Sequence, residues 1–179
     1  MPLQRSETQP LNTTAHTLEP VAKAREFMGY KRANGKVGTR NFVGILTSVN
    51  CAGTVAKQIA KKFGDEALPQ HPNVDGVIAL THTSGCGMSH TGEGIDVLRR
   101  TITGYLNHPN FAGVLLIGLG CEVNQLSDLL DSADLQTSSR LRTLSIQETG
   151  GSLKAIEAGV SEINALLEIA NNDRRSPQA

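Results

Sequence analysis

The chain has 179 residues, of which 39% are hydrophobic but only 3% aromatic, and its 17 basic side chains balance 17 acidic ones. That length suits a domain with a core of its own, and a neutral chain poor in aromatics lacks the basic footprint and stacking surfaces of a nucleic-acid binder. No apolar run approaches the roughly 20 residues that cross a bilayer.

Residues 1–27 are rich in Ser, Thr, Gln, Pro and Asn and show no apolar period, the composition of a disordered lead or linker. Residues 1–20 contain no apolar signal core, and three cysteines are too few, and odd in number, for a disulfide framework. A cytoplasmic chain with reduced thiols is therefore expected. Residues 42–49 (FVGILTSV) form a short β-branched apolar run, as a buried strand requires, and the signature recurs at 75–81, 111–119 and 141–146. Helical periods fill the gaps. Val55, Ile59 and Phe63 mark the first helix, and Ile95, Leu98, Ile102 and Tyr105 the second. Leu126, Leu129 and Leu130 mark a third, and Leu153, Ile156, Val160, Ile163 and Leu167 the longest. Residues 171–179 are polar again and are expected to be a linker, leaving residues 28–170 as one domain of a larger protein.

Strand–helix alternation of this kind calls for a parallel sheet of about four strands with helices on both faces, because each crossover helix must bury its apolar stripe. The expected fold is an α/β, three-layer, doubly wound sandwich of the flavodoxin or Rossmann type. Ligands of such folds bind beyond the carboxyl ends of the strands, where helix N-termini also point. The unusual residues of this chain collect there: Asn50-Cys51, His82 with Gly85-Cys86-Gly87, Gly120-Cys121-Glu122, and Gln147-Glu148-Thr149-Gly150-Gly151. Every cysteine follows a predicted strand, at equal intervals. Thiolate and imidazole suit a borderline metal such as Fe²⁺ or Zn²⁺, and adjacent glycines bring backbone N–H groups close to a ligand. Cysteine also fills cores without any chemistry, so both readings stand. His82 is the strongest histidine candidate, as metal ligand or general base, or else as a core imidazole bonded to a carbonyl. His71 and His108 precede Pro-Asn at the amino ends of strands and read as turn residues. Dinucleotide, P-loop, nucleophile-elbow and Cys-x-x-Cys signatures are absent.

Several segments together resemble the second domain of the altronate and galactarate dehydratases. They are Gly29-Tyr30-Lys31-Arg32, Gly35-Lys36-Val37-Gly38-Thr39-Arg40-Asn41, Val49-Asn50-Cys51, Thr81-His82, Gly85-Cys86-Gly87, His108-Pro109-Asn110, Gly118-Leu119-Gly120-Cys121-Glu122 and Thr149-Gly150-Gly151. The resemblance covers about residues 27–170. It implies a hydro-lyase that removes water from an aldonate or aldarate to give a 2-keto-3-deoxy acid and requires a divalent metal, Fe²⁺ ahead of Mn²⁺. It also implies partner domains, one small and β-rich, the other C-terminal, and an isolated domain with little turnover.

Carried onto this sequence, the resemblance assigns the metal to Cys86, Cys121 and His82, with Cys51 as a further ligand. His82 and Glu122 are the candidates for catalysis; Glu122 reads as base, ligand or supporting group, or as a carboxylate drawn to a helix N-terminus. Asn50, Thr149 and Gly150 are candidate substrate contacts. Arg40 has the geometry to clamp a substrate carboxylate, although its place before the first long strand also suits a structural salt bridge. An iron–sulfur cluster ranks below a single ion because no compact cysteine run is present. A related lyase, such as a sulfolactate sulfo-lyase, and a non-catalytic assembly domain are the alternative readings. A homo-oligomer is compatible with all of them, and neither a nucleic acid nor a membrane is an expected partner.

Overall fold

The computed structural model describes residues 25–64 and 68–179. Two sheets are present among them. The larger contains β3 (Phe42–Thr47), β4 (Gly76–Leu80), β5 (Phe111–Gly118) and β6 (Leu141–Ser145), in the order β4-β3-β5-β6, with every neighbouring pair parallel. The four predicted strands are present, each within two residues of its expected ends.

Alternation along the strands sends side chains to opposite faces, and each face carries its own core. Val43, Ile45, Leu115 and Ile117 pack under α1 (Gly53–Lys61) and α4 (Ser152–Asn171). Leu46, Val114 and Leu116 pack under α2 (Glu93–Leu106) and α3 (Leu126–Ser132). The molecule is thus the expected three-layer sandwich, doubly wound because successive crossovers lie on both faces. Helix α1 buries Val55, Ala56 and Ile59 while Lys57 and Lys61 stay exposed. Where α1 meets α4, Gly159 leaves room for Ile59, whose Cδ1 occupies the space a Cβ would need. Leu153, placed by its spacing in the apolar stripe of α4, is 79% exposed, because it sits in the first turn, ahead of the buried run that begins at Ala155.

A second, three-stranded antiparallel sheet corrects the reading of the chain ends. β1 (Phe27–Lys31) pairs with β2 (Val37–Gly38) through a tight turn at Gly35 (φ +79°) and, on its other edge, with β7 (Ser176–Gln178). Residues 176–178, expected to be linker, pair with residues 27–29. Their composition gives no strand signal, yet an edge strand needs only free backbone groups and tolerates Pro177. The expected lead lies outside the described residues up to residue 24. No helix among the described residues is long and apolar enough to cross a membrane.

Sheet order decides where a site belongs. The connection from β3 to β4 runs one way and the later ones run the other, so the topological switch lies between β3 and β5. A doubly wound sheet opens its ligand crevice at that point, beyond the carboxyl ends of the strands.

Candidate functional site

The loops after β3, β4 and β5 meet at this rim and are tied to one another. After β3, the chain turns through a short 3₁₀ segment, Asn50–Ala52, that carries Cys51 into α1. The Asn50 N–H donates to the Ser84 carbonyl at 2.8 Å, which fastens this turn to the loop holding Cys86. Gly85, at φ +102°, rests against the backbone of Ser48 and Val49, where a side chain would meet the Ser48 carbonyl and Val49 Cα at 2.9 Å. This close approach, and not flexibility, explains the glycine beside Cys86.

Across the switch point, the β3 and β5 ends are joined by side chains. Ser48 Oγ donates to Glu122 Oε1 at 2.7 Å, and the N–H groups of Leu119 and Gly120 donate to the same carboxylate at 3.0 and 2.6 Å. Burial pushes the Glu122 carboxyl up, but the hydrogen bonds from Ser48 and from the N–H groups of Glu122, Gly120 and Leu119 outweigh it and hold it below the usual range. Asn124, fully buried, donates to the Ser48 carbonyl and accepts from Arg99 Nε at 3.0 Å. Glu122 is therefore a bracket that closes the turn around Cys121. A carboxylate so well satisfied, with its proton affinity lowered, is a poor general base.

His82 has a similar fate. Its Nε2 donates to the Thr47 carbonyl at 3.0 Å, while Nδ1 accepts the Ser84 N–H at 3.2 Å. Both ring nitrogens are spent on backbone, so neither lone pair is free for a metal or a substrate proton. The carbonyl-bonded reading of His82 is the one the structure supports. Arg40 is displaced more simply: it lies at the amino end of the sheet, paired with Asp75 at 3.3 Å, on the edge opposite the cysteines. His71 and His108 also lie at amino ends of strands, and His71 is engaged with Glu168.

The thiols themselves are not spent. Cys51, Cys86 and Cys121 are all exposed, which sets aside the core-filling reading, and they follow the adjacent strands β3, β4 and β5, with Cys51 in the middle. Desolvation, hydrogen bonding with Cys86 and the charges of Cys86 and Cys121 all raise the Cys51 thiol, so the three sulfurs are near enough to influence one another. Cys51 also donates to Asn50 Oδ1 at 3.6 Å, and Gln147 Nε2 donates to Cys121 Sγ at 3.3 Å, linking the fourth loop to the rim. Among the described residues, however, no three His, Cys, Asp or Glu side chains stand together as a ready site for one metal ion.

The fourth loop is built for close approach. Gly150 and Gly151 take φ +92° and +108° ahead of the 20-residue helix α4, and Thr149 is tied back to the Ser145 carbonyl through its Oγ1 at 2.6 Å. Lys154 Nζ lies 3.5 Å from where a Cβ on Gly150 would stand, placing a cation beside that helix N-terminus. Lys154, Ser48, Asn124 and Arg99 escaped the sequence reading. Ser48 alone carried a signal, as a polar residue near the carboxyl end of a mostly apolar run.

Residues 29–171 match the family model described as "D-galactarate dehydratase/Altronate hydrolase, second domain". The chain belongs to this family. Altronate dehydratase from Escherichia coli is 35% identical over 156 residues, 87% of this chain and 30% of the relative. Altronate dehydratase from Bacillus subtilis is 32% identical over 151 residues, covering 84% of this chain and 29% of the relative. Galactarate dehydratase (L-threo-forming) from Escherichia coli is 42% identical over 128 residues, covering 71% and 24%. The second domain described here thus spans less than a third of the length of these relatives, so other domains of the same enzyme stand beside it in them.

Proposed function

We propose that this chain forms one wall of a sugar-acid dehydratase. The whole enzyme would eliminate water from an aldonate or aldarate such as altronate or galactarate, give a 2-keto-3-deoxy acid, and require iron. The observation that carries the reading is the set of three exposed thiols at the ends of adjacent parallel strands, beside the topological switch.

The reaction sets three demands. The hydrogen next to a carboxylate is weakly acidic and needs a base, hydroxide leaves poorly without a Lewis acid, and the carboxylate itself needs a cation or an N–H cluster. For the last demand this chain offers Lys154 and the first N–H groups of α4, opened by Gly150 and Gly151. Asn50, exposed at the start of its 3₁₀ turn, holds its side-chain amide 3.6 Å from the Cys51 sulfur and suits a substrate hydroxyl. Since His82 and Glu122 are bound to backbone groups, we assign the base to the remaining domains. One ion held by Cys51, Cys86, Cys121 and His82 does not fit this rim: the imidazole is spoken for, and among the described residues no three-donor group closes on one point.

The test uses the enzyme at the length of its relatives, purified without oxygen and supplied with iron. Formation of a 2-keto-3-deoxy acid from altronate or galactarate is expected, with turnover lost in Cys86→Ser while the fold persists. The 179-residue chain alone is expected to show little turnover. Full activity of the Cys86→Ser enzyme, or turnover of neither sugar acid, would overturn the reading.

A further inference from the structure

We propose that a cavity at the amino end of the large sheet is a second binding site, for an organic anion that carries a carboxylate on an apolar body. The site owes nothing to the dehydratase reading. It stands apart from the thiol rim, because β5 runs from one to the other over eight residues, or about 26 Å.

The cavity has a volume of about 420 Å³ and opens where the β1–β2 turn, the α2–β5 loop, the α3–β6 loop and the segment after α4 meet. Small-molecule sites are of this size, mostly apolar in lining, with a few polar groups converging on the ligand. The apolar wall is Leu106, Phe111, Leu135 and Leu141, each only partly covered by the core beneath. His108 stands edge-on to Phe111, with ring centroids 6.1 Å apart.

Charge in the lining is lopsided: Lys31, Arg32 and Arg140 face a single acid, Asp173. Asp173 accepts from Arg32 Nη1 at 2.8 Å and from Arg140 Nη1 and Nη2 at 3.0 and 2.7 Å. Two guanidinium groups thus share one carboxylate, and the side chain of Arg32 is only 11% exposed. Burial pulls Arg32 below its ordinary value, and the charge of Arg140 adds to this against the opposing pull of Asp173. A second anion would balance the surplus, since an uncompensated charge in a partly desolvated place is costly.

Donors remain to meet that anion. Arg32 is largely spent, with Nε and Nη2 on the Pro109 and Arg40 carbonyls and on Asn41 Oδ1. Arg140 commits Nη1 and Nη2 to Asp173 and the Ala112 carbonyl, which leaves its Nε without a partner among the described residues. Lys31 makes no ion pair among them either. His108 Nδ1 accepts the Asn110 N–H at 3.2 Å, so Nε2 carries the ring hydrogen and donates. The walls are fixed before anything binds. Arg32 Nε reaches the Pro109 carbonyl at 2.7 Å, and Asn110 Oδ1 accepts the Thr39 and Arg40 N–H groups at 2.9 and 3.2 Å. A carboxylate beside Arg140, Lys31 and His108, with its apolar body against Phe111 and the leucines, uses each unspent group.

The test titrates the ¹⁵N-labelled 179-residue chain with sodium phenylacetate at constant ionic strength and follows the backbone amides by NMR. Saturable shifts are expected at Lys31–Asn34, Leu106–His108 and Leu135–Arg140. Acetate, which lacks the apolar body, and benzyl alcohol, which lacks the charge, should each bind at least about tenfold more weakly. Lys31→Ala should weaken phenylacetate up to about fivefold, and Ala33→Trp, which fills the cavity from its exposed turn, should abolish the shifts. Both variants should unfold at the urea concentration of the parent. No saturable shift, shifts centred on Gly150–Lys154 instead, acetate binding as well as phenylacetate, or binding undiminished by either replacement would each overturn the site.

Discussion

Replacing Glu122 by glutamine tests whether the switch point is held shut by a charged bracket. The carboxylate accepts from Ser48 Oγ, Leu119 N–H and Gly120 N–H at 2.7, 3.0 and 2.6 Å. An amide of the same shape keeps one accepting oxygen and turns an NH₂ toward the Gly120 N–H. The loss of one charge-assisted bond with a buried donor costs about 1.5–3 kcal/mol, and weakening of the other two adds about 1 kcal/mol. Relief from burying a charge offsets about 1 kcal/mol of this, leaving a destabilisation of about 2 kcal/mol. With a urea slope of about 2 kcal/mol/M, the unfolding midpoint should fall by about 1 M at neutral pH and the slope should stay unchanged. The pH dependence has a definite sign. The folded carboxyl holds its proton less tightly than the unfolded one. Its contribution is therefore present above the ordinary glutamate value, about 4.3, and is lost as pH falls through the lower folded value. Parent and variant should converge in that acid window. A midpoint within about 0.2 M of the parent at neutral pH, or a gap that widens in acid, would refute the bracket.

Three other outcomes follow from the same geometry. Arg40→Ala removes a pair whose arginine side chain is 60% exposed, at the edge far from the thiols. It should cost less than about 1 kcal/mol in urea unfolding and leave the KM of the full-length enzyme for its sugar acid within about twofold. Lys154→Ala should raise that KM about tenfold, the equivalent of about 1.4 kcal/mol, with the unfolding midpoint unchanged; an unaltered KM would remove Lys154 from the anion site. Gly159→Ala gains about 1 kcal/mol of helix propensity but drives a methyl into Ile59, so a net loss of about 1–2 kcal/mol is expected. A more stable Gly159→Ala chain would mean that α1 and α4 separate more easily than their packing suggests.

The layered sheet was legible because burial on both faces leaves unbroken apolar runs, and Phe42–Thr47 and Phe111–Gly118 are such runs. The small sheet was not. β2 has two residues and β7 three, one of them Pro177, and strands this short are made by edge backbone pairing that no side-chain pattern encodes. At the rim, position was legible and role was not. Strand-end placement put Cys51, His82, Cys86, Cys121 and Glu122 in one neighbourhood, since parallel strands deliver their carboxyl ends to the same side. Whether His82 binds a metal or a backbone carbonyl depends on Thr47, 35 positions away in sequence, and that partnership exists only once β3 and β4 pair. The same holds for Glu122 and Ser48 across β3 and β5.

These engagements account for the state of the cysteines. A crevice between diverging crossovers exposes strand-end backbone groups on three loops at once, and each must find a partner. His82, Glu122 and Asn124 supply partners for the Thr47 and Ser48 carbonyls and for the Ser84, Leu119 and Gly120 N–H groups, and Ser48 holds Glu122 in place. The polar residues that looked most reactive in the sequence are thereby consumed in construction. Sulfur, a weak hydrogen-bonding group, is of little use for that work, so the thiols stay exposed, with contacts to Asn50, to Gln147 and between Cys51 and Cys86. The division of labour makes reactivity follow from hydrogen-bonding strength. Strong hydrogen-bonding side chains fix the loops, and the weakly bonding thiols are left exposed beside them.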